Sequence, residues 1–535
     1  MSPRFLCIAL LGASLAGCMT AGPDYTRPML PETDFSSVLR PGEEPATAAA
    51  GPITSDALAQ WWDRLNDPVL TDLIQQALAG NLDIQQAQSR VRMSRLLVGI
   101  SQSGLYPQFD GGASYRRTRS SQNATAQQGG NPVQEAAAGL ARGINVVQTL
   151  QTFPTDPTGA LLRVPGLVAG WPLPGSADLE RDFYQTGIDA AWEIDIFGGT
   201  QRRIEAAEAD LEAVQANLNH IWVSLAGAIA QSYIELRTHQ ARLDVAESNL
   251  KAQTATYELL DSLYRAGLCD ELAPQQARYI VESTRSRIPR LRGNIETTLN
   301  SLAVLTGQMP GSLHETLQEK RPIPVAELKI VTGIPADALR QRPDIRMAER
   351  QLAAQTARIG EATAELYPKL RLTGSIGLES IQSSTLFDSG SDTWGIGPAV
   401  SWPIFHAGAI RKNIAVQNEL QQQYLAAWES SVLLAVKEVR DALVDYAQEQ
   451  ERYSSLEEAV EAAQVALEVA QDQYRNGLTD FNNVLDAQRS VLSFQEERAI
   501  SEGIISINLV RIYKALGGGW SPMTPPEEEG TAGAS

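Results

Sequence analysis

The chain has 535 residues, more than one ordinary compact domain, and carries 44 Lys and Arg against 63 Asp and Glu, a formal charge of −19. That balance argues against a nucleic-acid partner, which would be met by a basic surface. Apolar residues make up 43% and aromatic residues only 6%, which excludes wholesale disorder and also a large aromatic core.

The chain opens on a short basic stretch, Met1 to Arg4, and an apolar stretch from Phe5 to Ala13 that is too short to span a bilayer. It ends in Leu15-Ala16-Gly17-Cys18. This resembles the bacterial lipobox, in which cleavage before the cysteine frees it to carry diacylglycerol and a fatty acyl chain. Cys18 is therefore the expected lipid attachment. An ordinary secretory signal with an incidental cysteine is the alternative. Residue 19 is Met rather than Asp, which in the lipoproteins this signal resembles favours the outer membrane. With Cys7 removed and Cys18 acylated, Cys269 is a lone thiol, and no intrachain disulfide is available. The four histidines, His220, His239, His314 and His406, are scattered and leave little for a metal site. No run of about 18 apolar residues follows the signal, which excludes a helical membrane span but not a β-barrel.

An internal duplication organises the rest. Asp83-Ile84 recurs as Asp344-Ile345, and Leu105-Tyr106-Pro107 as Leu366-Tyr367-Pro368, both at an offset of 261. Beyond these the offset is 210: Trp192 matches Trp402, Tyr264-Arg-Ala-Gly267 matches Tyr474-Arg-Asn-Gly477, and Gly307 matches Gly517. The fall from 261 to 210 leaves 51 extra residues in the first half, within about Thr118 to Leu179. That insertion is rich in Gly and Pro and reads as an irregular loop. A period this long is a tandem duplication, not a solenoid.

Each half reads helix, strand, strand, long helix, turn, helix. Short helices are expected over Leu82 to Ser103, with Asn81 as N-cap, and over Asp344 to Ala364. From Ala409 to Asn476 there is no Gly or Pro in 68 residues. A continuous helix of that length is a rod of roughly 100 Å at about 1.5 Å per residue. Leu425, Val432, Val439, Tyr446, Tyr453, Val460, Leu467 and Tyr474 occupy one heptad position; Trp222, Ile229, Leu236, Leu243, Leu250, Tyr257 and Tyr264 repeat it in the first half. A sustained seven-residue period predicts knobs-into-holes packing. Returning helices are expected over Glu271 to Thr306 and Asp480 to Leu516.

Four strands alternate. Phe109, Ala113 and Tyr115 oppose Asp110, Ser114 and Arg116; Ile188, Ala190, Trp192 and Ile194 oppose Gln185, Asp189 and Glu193. In the second half Leu370, Leu372, Ile376 and Leu378 oppose Arg371, Thr373 and Ser375, and Trp394, Ile396, Val400 and Trp402 share one face. Such alternation suits a barrel with lipid outside and water inside; a soluble sheet with one solvated face alternates in the same way. Four strands cannot close a membrane barrel alone, since such barrels begin at about eight. Several chains must then share one, because open edges in hydrocarbon cost several kcal/mol per unpaired group.

The lipobox, Arg342-Pro343-Asp344-Ile345-Arg346-Met347-Ala348-Glu349, Leu366-Tyr367-Pro368, and Tyr474-Arg-Asn-Gly477 followed by Val484-Leu485-Asp486-Ala487 together resemble the TolC-like outer membrane efflux family, in its lipoprotein branch of OprM and NodT. The resemblance spans roughly 18 to 520. It implies a mixed α and β membrane protein: a homotrimeric conduit whose twelve strands form an outer-membrane β-barrel, continued by a periplasmic α-helical barrel. It implies partners as well, a periplasmic adaptor (membrane fusion) protein and an inner-membrane pump of the resistance-nodulation-division class. No cofactor is expected beyond the acyl groups on Cys18. The location implied is the outer membrane of a Gram-negative bacterium, lipid-anchored and extending into the periplasm. The divisions expected are a signal peptide (1–17), an anchored N-terminal segment with short helices (18–104), a first hairpin with a long loop (105–197), a first long helix pair (198–306), a linker and helix (307–365), a second hairpin (366–406), a second long helix pair (407–516) and a tail (517–535).

In this family the helix tips close the conduit like an iris. The tip turns here are Gly267-Leu-Cys-Asp270 and Gly477-Leu-Thr-Asp480, and Gly267 and Gly477 mark the expected adaptor contact. The family's tip tyrosine falls on Tyr474 and one of its aspartates on Asp486. Thr479 and Asn483 stand where the family has an arginine and a second aspartate, so Asp270 and Asp480 are the candidates for the missing carboxylates. Plain N-caps of the returning helices are the alternative for both. No phosphate-binding loop, zinc-protease or nucleophile-elbow motif occurs, so an enzyme is not expected and the energy must come from a partner. The competing reading is a structural coiled-coil envelope lipoprotein without channel activity.

Overall fold

The computed structural model describes residues 20–29, 59–119, 180–326 and 336–520. The expected signal peptide, Cys18, most of the insertion within 118–179 and the last residues of the tail lie outside them. The chain divides into two compact units.

The β unit takes in Gln102–Gln201 and Thr363–Gly408. It holds β1 (Gln108–Arg119), β2 (Glu180–Ile194), β3 (Lys369–Ser380) and β4 (Asp392–Ser401) in one antiparallel sheet, in chain order. The register puts the alternating residues on common faces. Ile188, Ile376 and Trp394 stand side by side, as do Ile194, Leu370 and Val400. On the other face Asp110, Asp189 and Ser375 form one row, and Glu193 lies opposite Arg371. The apolar face is exposed, with Phe109, Ile188, Ile376, Trp394, Ile396 and Val400 all open to solvent in the single chain. It ends towards the hairpin loop of β1 and β2, where Arg117 pairs with Glu180 at 2.7 Å and Tyr115 donates to Asp182 at 2.8 Å. The duplication repeats down to single bonds. Trp192 Nε1 donates to the carbonyl of Leu105 at 2.9 Å, and Trp402 Nε1 to that of Leu366 at 3.1 Å.

The helical unit takes in Gly22–Ser101, Arg202–Ala362 and Ala409–Ser535. Its elements are α1 (Pro68–Gly80), α2 (Leu82–Ser103), α3 (Gly199–Arg265), α4 (Leu272–Leu305), α5 (Pro343–Ala364), α6 (Ala409–Arg475) and α7 (Phe481–Ala515), with shorter turns between. The rods α3 and α6 are 67 residues each. Most of the residues buried on α6 fall on two heptad positions: Val432, Val439, Tyr446 and Val460 on one, and Trp428, Ala435, Ala442, Leu456, Ala463 and Ala470 on the other. The largest core gathers around the middle of the rods, where Trp61, Leu70 and Ile74 join Ile229, Tyr233, Leu302, Val439 and Val510. Trp61 stacks on Tyr513, ring centres 5.6 Å apart. Asn81 caps α2, accepting from the amides of Asp83 and Ile84 at 2.8 and 3.2 Å, and its Nδ2 donates to the carbonyl of Leu305.

Buried polar groups pin this core. Tyr233 donates to Asp67 at 2.6 Å, and the same Asp67 caps α1 through the amides of Val69 and Leu70. Arg237 is fully buried beneath the Tyr233 ring and donates to Gln240 at 2.7 Å and to the carbonyl of Glu319 at 2.6 Å. On α5, Glu349 accepts from Tyr25 at 3.2 Å and from Arg27 and Arg350, each at 2.7 Å. Burial alone would raise the Glu349 pKa, but the two guanidinium groups outweigh it and hold it below its ordinary value of 4.5. Its contribution to stability is therefore present above that pH and is lost as pH falls through the lower folded value. A Glu349→Gln variant is expected to melt below the wild type at neutral pH, with the two curves converging only as pH falls through the lowered folded value. Parallel pH profiles of the thermal midpoint would refute this.

Candidate functional site

Both tips are built by the same local chemistry. After α3, the amide of Leu268 bonds to Leu263 O and that of Gly267 to Tyr264 O, each at 2.9 Å. After α6, Leu478 bonds to Gln473 O and Gly477 to Tyr474 O, also at 2.9 Å. This double bond is the Schellman turn, and it needs a left-handed residue, which Gly267 (φ 67°) and Gly477 (φ 71°) supply without a Cβ clash.

A separate apolar cluster closes behind the turns. Leu260, Ala273, Ala277, Ile280, Phe481 and Val484 form it, and Tyr474 packs on its edge. The Tyr474 ring lies 5.2 Å from Phe481, centre to centre. Burial, and then the neighbouring Cys269 and Asp270, push its phenol above the ordinary pKa. The Cys269 thiol is likewise pushed up, by burial and then by Asp270, so it is a weak nucleophile.

The sequence candidates behave differently from one another. Asp270, one residue before the Glu271 N-cap of α4, accepts from the amide of Ala273 in the first turn at 3.3 Å. Asp480 has the extended backbone of an N-cap for α7, but its carboxylate makes no capping bond. The N-cap reading thus fits the side chain of Asp270 and only the backbone of Asp480. Asp486 is exposed and accepts from Arg489 at 3.1 Å. Arg489 also donates to the hydroxyl of Tyr279 on α4, and its guanidinium lies 5.3 Å from that ring centre. Two more ties join the returning helices: Gln276 donates to Asn482 at 2.8 Å, and Arg287 pairs with Glu496 at 3.1 Å.

Reading the sequence missed Arg489 and Tyr279. The only local signal was the spacing of Asp486 and Arg489, three apart on one helix; Tyr279 is 210 positions away. A shallow groove of about 690 Å³ runs beside the second tip, past Glu458, Glu461, Val465, Val469 and Asn483. Among the described residues no cluster of three or more His, Cys, Asp or Glu is placed to hold a metal, and no helix is long and apolar enough to cross a membrane.

With this geometry in hand, the comparisons with known proteins are informative. The model of the family described as outer membrane efflux protein matches residues 73–152, 169–308 and 334–518, more than half of the chain. The solvent efflux pump outer membrane protein SrpC of Pseudomonas putida is 30% identical, covering 97% of this chain and 98% of that protein. Nodulation protein T of Rhizobium leguminosarum bv. trifolii is 29% identical over 95% of this chain and 96% of its own. The solved outer-membrane channel OprN superposes with a TM-score of 0.77 at 31% identity, covering 94% of this chain and 99% of that one. The chain belongs to the outer membrane efflux protein family.

Proposed function

We propose that this chain is the outer-membrane channel of a tripartite efflux system. It conducts small molecules, of the drug or toxic-compound class, passively from a periplasmic adaptor and inner-membrane pump to the exterior. The observation that carries this reading is the sheet: one face is a broad exposed apolar surface, the other is polar, and β1 and β4 each bond to only one neighbour within the chain. An exposed apolar face of that extent suits lipid. Its open edges suit closure by neighbouring copies, and three chains give a barrel of twelve strands with the polar rows inside. The acyl chains on Cys18 add membrane affinity in proportion to the methylenes they bury. A conduit of this kind supplies a water-filled path and performs no chemistry. The alternative of a coiled-coil envelope spacer gives no role to a two-faced sheet.

The periplasmic gate is assigned to the tips. Tyr474 and the cluster behind it hold the second tip, Asp486, Asp480 and Asp270 supply carboxylates, and the turns at Gly267 and Gly477 meet the adaptor. Exposed ion pairs are worth little singly, so a tip held by a few of them opens readily when a partner offers better contacts. In planar bilayers the purified protein is expected to conduct. Asp486→Ala, Tyr474→Phe and Arg489→Ala are each expected to raise its closed-state conductance severalfold. A protein that inserts but never conducts would overturn the channel reading. Conductance unchanged in all three variants would overturn only the gate residues.

A further inference from the structure

The loop end of the first hairpin is dense in charge. Arg116-Arg-Thr-Arg119 closes β1, and Glu180-Arg-Asp182 opens β2. The alternation of the strands splits these charges between the two faces of the sheet. On the face of Ile188 and Trp394, Arg117 stands opposite Asp182 and Arg119 opposite Glu180. There Arg117 meets Glu180 at 2.7 Å and Asp182 at 3.8 Å, and Arg119 meets Glu180 at 3.6 Å. On that side the cations and anions cancel.

The polar face differs. Arg116 lies opposite Phe183 and Arg181 opposite Thr118, so these two arginines are diagonal neighbours on the side that carries Asp110 and Asp189. Both are exposed, and among the described residues neither meets a carboxylate. Diagonal neighbours on paired strands are about 7–8 Å apart. Like charges so placed do nothing to help the strands pair, and the same two strands set carboxylates against arginines on the opposite face.

Distance keeps this pair from being neutralised along the same face. Glu379 lies opposite Gln185, four residues of strand from Arg181, which is about 13 Å at about 3.3 Å per residue. The row of Asp110 and Asp189 is at least six residues from either arginine, about 20 Å on the same spacing. Both separations exceed the Debye length of about 8 Å at physiological salt. β1 follows α2, β2 precedes α3, β3 follows α5 and β4 precedes α6, so every link to a helix leaves from the other end of the strands.

We propose that Arg116 and Arg181 form a charge filter at the external mouth of the lumen, concentrating anionic solutes and depleting cationic ones where the conduit opens. It rests on the reading of a barrel shared by three chains, in which the pair recurs as a ring of six guanidinium groups. Twelve strands about 4.8 Å apart and tilted about 40° close on a wall radius of about 12 Å. An arginine side chain reaches well into that radius, leaving the axis roughly one Debye length from the ring. Rings of charged side chains set selectivity in this way. The net charge of −19 gives the opposite expectation, so the sign of the effect tests these two arginines and not the bulk charge of the protein.

The test is the reactivity of single cysteines with charged methanethiosulfonate reagents, in the full-length membrane protein with Cys269→Ser. Ser114→Cys lies one step below Arg116 on the polar face, and Thr373→Cys, opposite Ala191, is ten residues of strand from Arg181. The ratio of modification rates by the anionic sulfonatoethyl and the cationic trimethylammonium-ethyl reagent reads the local potential. Replacing both arginines by serine is expected to lower that ratio about fivefold at Ser114→Cys in about 0.15 M salt, the effect of two charges about one Debye length away. Fivefold corresponds to about 1 kcal/mol between opposite unit charges, at about 1.4 kcal/mol per factor of ten. In about 1 M salt, where the Debye length is about 3 Å, the difference is expected to vanish. The ratio at Thr373→Cys is expected to change less than twofold. Arg116→Lys with Arg181→Lys keeps the charge and is expected to hold the ratio at Ser114→Cys within twofold of wild type. A fall as large as that of the serine pair would mean that structure, not charge, was lost, and would overturn the proposal. So would an unchanged ratio in the serine pair, as expected if carboxylates of residues 120–179 meet the two arginines. If both cysteines react but the ratio ignores the arginines, the filter is wrong and the channel reading stands. If neither cysteine reacts with either reagent in folded protein, the polar face is not lined by water and both fail.

Discussion

Arg342→Ala is expected to destabilise the helical unit by about 3 kcal/mol, the lower end of what removing one partner of a buried ion pair costs. Arg342 is buried and spends its guanidinium on three elements. It donates to the carbonyl of Ala515 at the end of α7 at 2.6 Å, to Asp344 at the start of α5 at 2.7 and 3.1 Å, and to Glu438 in the middle of α6 at 2.7 Å. Alanine would leave a buried carbonyl and a half-buried carboxylate without their donor. The effect sits at the lower end because the Glu438 side chain is 57% exposed and water can replace its partner. The pKa of Asp344 reports the same coupling: burial would raise it, but the Arg342 contacts outweigh burial and it is lowered. Arg342→Lys keeps the charge but not the planar fork, and is expected to fall between the two. Thermal unfolding in detergent checks this; an unchanged midpoint in Arg342→Ala would show that the cluster carries no net stability.

Ile376→Arg is expected to be the most damaging change in the sheet. Ile376 lies between Ile188 and Trp394 on the exposed apolar face. A cationic side chain on the lipid face near the bilayer midplane costs about 2–4 kcal/mol. That is more than tenfold in the inserted fraction, since about 1.4 kcal/mol is a factor of ten. Ser375→Arg, one residue away, points to the polar face beside Asp189 and is expected to insert normally. Counting folded protein in the outer-membrane fraction separates the two. Equal yields would place the apolar face away from lipid.

Much of this could be read from the chain because the signals are local. The heptads of α3 and α6 recur within one helix, so burial of Val432, Val439 and Val460 follows from their spacing. Alternation along each strand likewise assigns Leu370 and Leu372 to one face and Arg371 to the other. The turn glycines were legible because a left-handed residue after a helix has few alternatives. The tips were legible only in part. Asp480 stands at an N-cap without making the side-chain bond, and Asp486 is met by Arg489 of its own helix, not by a residue of the turn. Its partner Tyr279 lies on the other returning helix, which no pattern within one segment reveals.

By itself the sequence determined the duplication, the long heptad rods, the two-faced strands and the glycine turns. Each is a repeat or an offset along the chain, set by the 3.6- and 2-residue periods of the backbone. Tertiary structure alone decided which distant groups meet: Arg342 with Ala515 and Glu438, Arg237 with Glu319, and Arg489 with Tyr279. It also decided that α5 is covered where α2 is bare, although the two helices are copies of one another. Side-chain pairing depends on packing in three dimensions, and two copies of one segment with the same periodicity can bury different faces once their neighbours differ.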